Sequence, residues 1–210
     1  AFLEEQAGSD QPWMLKSSYI HPHPAFAPPW PWHKLYRSFN LPYPHVPENA
    51  EDLHVHINRV QNRYKYRDQG IDRQLVRNIK AHYYACISFV DYQIGRILDT
   101  LEATGPRDNT LILFVSDHGE LLGDYNCFGK RSMHDAASRV PMLAAMPGRF
   151  EGGRRCDRLT SLIDIAPMML AAADVGDGGM ACDGLDLATV QEGSAERDAV
   201  HIQYRLKGDG

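Results

Sequence analysis

The amino-acid sequence predicts an α/β fold, a largely parallel sheet flanked by helices, and three observations carry that expectation. A long amphipathic helix follows Asp72, with Leu75, Ile79, Tyr83, Ile87, Val90, Ile94, Ile97, Leu98 and Leu101 recurring at steps of three and four. Next, Leu111 to Val115 form an unbroken apolar run, which suits a central parallel strand buried on both faces. A second apolar run, Val140 to Met146, has Pro141 near its start and Pro147 past its end. A helix followed by a strand is half of a βαβ unit, whose natural context is a parallel sheet.

Composition narrows the function classes. The 210 residues are 43% hydrophobic and 23% charged, as in a soluble globular protein. A formal charge of -5 and a pI near 6.0 argue against a general nucleic-acid binder, which carries a basic footprint. No stretch approaches the roughly 18 apolar residues of a membrane span. The start, Ala1-Phe2-Leu3-Glu4-Glu5, lacks the basic-then-apolar order of a signal peptide. Cys86, Cys127, Cys156 and Cys182 form no C-x-x-C pair and are too dispersed for a zinc cluster.

Taken in order, the chain begins loop-rich, with nine of its 13 prolines before residue 48 and six of its ten histidines by residue 56. Trp13 to Ile20 can form a strand. In His21-Pro22-His23-Pro24 each proline fixes its own φ and restricts its predecessor, so an extended, stiff path is expected, with His23 held rigidly. Locally, His23 reads as a surface histidine or as a site residue. Trp30 and Trp32 either line a cleft or pack on a neighbour. Arg59, Arg63, Lys65 and Arg67 form a solvated face or a lid over an anionic site. Asp72 then opens the long helix and Gly105-Pro106 ends it.

The apolar run stops at Ser116-Asp117-His118-Gly119-Glu120, where open α/β sheets bind ligands, beyond the carboxyl ends of their strands. Gly119 and Gly123 let the chain turn sharply there. On local pattern Asp117 is equally a helix cap or a ligand. Lys130 reads locally as a surface lysine or as a cation near the same strand end. Past the basic loop Arg149 to Arg158, Ser161 to Leu170 starts a helix, with Asp164 as cap and Pro167 in its first turn. Gly176 to Gly184 reads as a flexible connection and Ala199 to Arg205 as a strand.

Together these segments resemble the sulfatase family of the alkaline-phosphatase superfamily. Ser18-Tyr19 with Pro22-His23-Pro24 and Phe26 looks like the family's P-H-x-P segment. Asp91-x-x-Ile94-Gly95-Arg96-Ile97-Leu98 looks like its helix motif, and Asn109 to Asp124 is close to its most specific signature. Lys130, Arg139-Val140-Pro141, Ser161-x-Ile163-Asp164-Ile165-x-Pro167 and Asp183-Gly184-x-Asp186-Leu187 continue the pattern in order. The resemblance spans roughly residues 13 to 205 and implies an alkaline-phosphatase-like sheet.

It also implies roles. Asp117 and His118 become metal ligands, and His23 and Lys130 catalytic and substrate-binding residues, the four converging on one site. The family ion is usually calcium. An imidazole at position 118 suits manganese, zinc or iron better. The substrate implied is a small-molecule or carbohydrate sulfate ester, hydrolysed through a formylglycine nucleophile from a C/S-x-P/A-x-R motif. None of the four cysteines fits that motif. The chain is therefore expected to be the second half of a catalytic domain, residues 1–176, with the start of a C-terminal subdomain at 177–210, and to be inactive alone. Phosphonate monoester hydrolases and phosphodiesterases share the D-H-G-E-x-L-G-D signature, so they remain an alternative, as does a non-catalytic fragment. Oligomeric state and compartment stay open.

Overall fold

Asp72 sets the start of the longest element. Its carboxylate accepts from the backbone N–H groups of Gln74 and Leu75, at 2.8 and 3.1 Å, satisfying two of the donors that a helix start leaves open. The helix α3 then runs Arg73–Thr104 and ends at Gly105, as the sequence predicts. The structure, a computed structural model, describes residues 1–62, 72–176 and 182–203. Arg63, Lys65 and Arg67, and residues 177–181 of the glycine-rich connection, lie outside the described residues. Two compact units form, Ala1–Arg107 with Gly119–Ser138 and Asp108–His118 with Arg139–Gly210.

The first unit is built on α3, with two shorter helices before it, α1 (Phe2–Glu5) and α2 (His56–Asn62). The apolar stripe is borne out at Val90 and Leu101 and half-buried at Ile79, Tyr83, Ile94, Ile97 and Leu98, while towards its start α3 buries a neighbouring line of residues instead. Val76, Ala81, Ala85, Cys86, Val90 and Leu101 are buried, whereas Leu75 and Ile87 are exposed. Aromatic residues of the N-terminal loops pack on aromatic positions of the helix. Trp32 packs tilted against Tyr92 and edge-on to Phe89, with ring centroids 5.4 and 6.1 Å apart, and Tyr36 packs edge-on to Tyr84. Trp32 therefore packs, while Trp30 is exposed.

Arg77 fastens the same loops. Its guanidinium donates to the carbonyls of Ser38 and Leu41, both at 3.0 Å, and to that of Phe39, and it lies 4.5 Å from the centre of the Tyr43 ring. Arg77→Ala is expected to cost about 2–3 kcal/mol, because carbonyls lose a charged donor, and Arg77→Lys cannot restore the fork. Denaturant unfolding measures this; a change under about 0.5 kcal/mol would show that the clamp adds nothing to stability.

Two N-terminal expectations are corrected. Trp13 to Ile20 is not a strand: it is mostly exposed and has no neighbouring ladder, and Trp13 instead packs edge-on against Phe2. The His-Pro segment does not run straight. It turns, the His23 N–H donating to the Ile20 carbonyl at 2.9 Å, since fixed proline φ values suit a turn as well as an extended path.

The second unit holds the two strands found among the described residues, β1 (Ile112–Val115) and β2 (Met142–Ala145). They pair antiparallel, with Ile112 opposite Ala145 and Phe114 opposite Leu143. The expected parallel, doubly buried strand is corrected here: Phe114 and Leu143 are 39% and 59% exposed. A parallel return needs a crossover helix, and the connection offers only the four-residue α4 (Asp135–Ser138) and a single 3₁₀ turn. The α/β class itself stands.

Helix α5 (Ile165–Ala172) has Pro167 in its first turn as expected, but Asp164 does not cap it. The fully buried Asp164 carboxylate instead accepts from the backbone of Ser161 (2.7 Å) and Leu185 (2.8 Å) and pairs with Arg197. Asp186 caps α6 (Leu187–Glu192) through the Ala188 N–H and pairs with Arg149 at 2.6 Å. Two segments singled out in the sequence thus hold the unit together. Residues 199–203 form no strand, and the rest of that expected strand, Tyr204 and Arg205, lies outside the described residues.

Candidate active site

Asp117 and His118 lie just past the end of β1 in the second unit. The Ser116 hydroxyl donates to the His118 carbonyl at 2.7 Å and fixes the bend. One Asp117 oxygen accepts the His118 N–H at 3.0 Å and lies 3.6 Å from His118 Nε2. No helix starts there, so Asp117 is not a cap, and its side chain is 85% exposed. A carboxylate oxygen and an imidazole nitrogen this close can both bind one cation, so the pair fits a metal as part of a ligand set. Among the described residues no group of three or more His, Cys, Asp or Glu side chains gathers as a metal site.

Lys130 and His23 belong to the first unit. Lys130 is half-buried and follows a tight loop in which Leu121 and Gly123 donate to the Gly129 and Cys127 carbonyls, at 3.0 and 2.8 Å. Leu121 and Cys127 are buried with Ala137 as a small core beneath it. The glycines of the signature answer steric demands. A Cβ at Gly119 would strike the Ala136 carbonyl, and one at Gly123, where φ is +98°, would come within 2.7 Å of Pro44 and Val76.

His23 is exposed, and its Nδ1–H donates to the Pro24 carbonyl at 2.9 Å. Phe26, three residues on, packs edge-on to Tyr83 of α3 at 5.5 Å. Burial, and then the nearby Glu120 charge, push the Tyr83 phenol above its ordinary pKa. The His23 segment thus meets α3 at Tyr83, through Phe26. Sequence reasoning missed Glu120, because the glutamate of the signature carried no role.

The four candidates fall two and two: His23 and Lys130 in the first unit, Asp117 and His118 in the second.

A family model for sulfatases matches residues 1–175. The arylsulfatase of Clostridium perfringens is 32% identical over 209 residues, covering 95% of this chain and 42% of its own length. The choline-sulfatase of Rhizobium meliloti is 30% identical, over 96% of this chain and 40% of its own. Among solved structures, the phosphonate monoester hydrolase of Silicibacter pomeroyi superposes with a TM-score of 0.81 at 30% identity, over 93% of this chain and 40% of that one. The chain spans about two fifths of the length of these curated relatives, 42% and 40%.

Proposed function

We propose, from the premise that this chain belongs to the sulfatase family, that the protein carrying it hydrolyses small-molecule or carbohydrate sulfate esters. The observation that carries the reading is the Asp117–His118 pair, 3.6 Å apart just past β1 and serving no helix. Asp117 and His118 would hold a divalent ion, calcium by family habit, with manganese, zinc or iron favoured by the nitrogen donor. Such an ion, when bound, lowers the cost of negative charge collecting on the transferring group. Lys130 acts as a point charge on a sulfate oxygen. His23, whose Nδ1–H donates to the Pro24 carbonyl, acts as the doubly protonated imidazolium, whose Nε2–H donates to a sulfate oxygen or passes its proton to the departing alkoxide. The nucleophile in this reading is a formylglycine contributed from outside residues 1–210.

Lys130→Ala in the full natural protein should cost about 2–4 kcal/mol of transition-state stabilisation, as for a lost oxyanion donor. A loss below about tenfold in kcat/KM would remove Lys130 from the reacting group.

A second reading, hydrolysis of phosphonate monoesters or phosphodiesters, is supported by the 0.81 superposition on a phosphonate monoester hydrolase. Sulfate monoesters and phosphodiesters each carry one negative charge, so one site can serve both. A paired assay with an aryl sulfate and a phenyl phosphonate ester decides: a higher kcat/KM for the sulfate supports the first reading, and a higher one for the phosphonate replaces it.

A further inference from the structure

We infer that Glu120 is a positioning residue, its carboxylate closing the loop that delivers Lys130. The inference rests on the proposed role of Lys130 at the transferring group. One carboxylate oxygen, Oε1, accepts two backbone N–H groups, that of Leu122 at 3.2 Å and that of Gly129. The Gly129 carbonyl is held in turn by the Leu121 N–H at 3.0 Å, so both polar groups of the residue before Lys130 are fixed. The Glu120 N–H donates to the Ala136 carbonyl at 2.9 Å, which ties the carboxylate's own backbone to the segment leading out of the loop.

Chemistry explains why an acid stands there. Gly129 has φ of +90° and no side chain to pack, so its orientation depends on its hydrogen bonds. An ionised acceptor holds an N–H more strongly than a neutral one. Without it the Phe128–Gly129 peptide loses its anchor, the loop is held at Gly129 by the Leu121 N–H alone, and the ammonium group at the end of a long side chain shifts from its place. Small displacements of a charge aimed at a reacting group cost rate rather than binding.

The test is a double-mutant cycle on Glu120 and Lys130 in the full natural protein, with an activated aryl sulfate as probe. Glu120→Ala should lower kcat about tenfold, the scale of lost support behind a site residue, and leave KM within about threefold. Glu120→Gln, which keeps a carbonyl acceptor, should recover most of that loss. In a Lys130→Ala background Glu120→Ala should change kcat less than about twofold, since the residue it positions is gone. Metal content should be unchanged by Glu120→Ala.

Equal losses in both backgrounds, or a fall in metal content, would overturn the inference while leaving the hydrolase reading intact. A Lys130→Ala enzyme with near-native turnover would instead remove the reading on which it rests. Should the alanine variant not fold, Glu120→Met has nearly the same length without the strong acceptor and repeats the cycle.

Discussion

Asp117→Ala in the full natural protein is expected to abolish turnover, by about a thousandfold or more, and to lower the bound metal in parallel. A charged oxygen is the strongest donor that the pair offers a divalent ion, and an imidazole left alone at position 118 cannot replace it. Folding should be untouched. Asp117 caps no helix, its side chain is 85% exposed, and its carboxylate accepts the backbone N–H of its neighbour His118. Surface changes of that kind alter stability by less than about 0.5 kcal/mol. The contrast makes the experiment sharp: kcat/KM and metal content by atomic emission should collapse while the thermal midpoint, compared with both proteins stripped of metal by a chelator, stays. A variant that keeps its metal and its rate would reduce Asp117 to a surface residue.

Asp164→Ala should do the opposite. The carboxylate is fully buried, takes two backbone N–H groups and pairs with Arg197, whose side chain is 14% exposed. Removing one partner of such a pair leaves an uncompensated guanidinium and two unpaired N–H groups, at a cost of about 3–5 kcal/mol. In a domain of this size the thermal midpoint should fall by on the order of 10 °C. Asp164→Asn keeps an acceptor and should lose less. A loss below about 1 kcal/mol for the alanine variant would mean that desolvation of the native pair offsets its attraction.

What the sequence revealed and what it hid divide by range. Asp72 and Gly105 act on peptide groups a few positions away, so the limits of α3 were legible from side-chain chemistry alone. Which face α3 buries was legible only in part, at Val90 and Leu101, and the aromatic partners of its other positions, Trp32, Tyr36 and Phe26, come from far along the chain. The direction of the β1–β2 pairing was hidden likewise, since an apolar run of five residues states burial and not its partner. Asp164 looked like a cap because aspartate before a helix usually is one; beside the nearby Ser161 N–H, its other partners, Leu185 and Arg197, are 21 and 33 positions distant. Among the candidate residues, Asp117, His118 and Lys130 were named from the motif. Glu120 was hidden because its role lies in two backbone N–H groups that no pattern of side chains displays.

The crowding at Gly119 bears on how tolerance to substitution should be understood in this chain. Any side chain there meets the Ala136 carbonyl, so the position is closed to nineteen residues on grounds of space. A saturation scan scored by activity would rank Gly119 beside Asp117, two positions away, as equally intolerant. One would fail for want of room and the other for want of a charge, and only a parallel readout of folded protein would tell them apart.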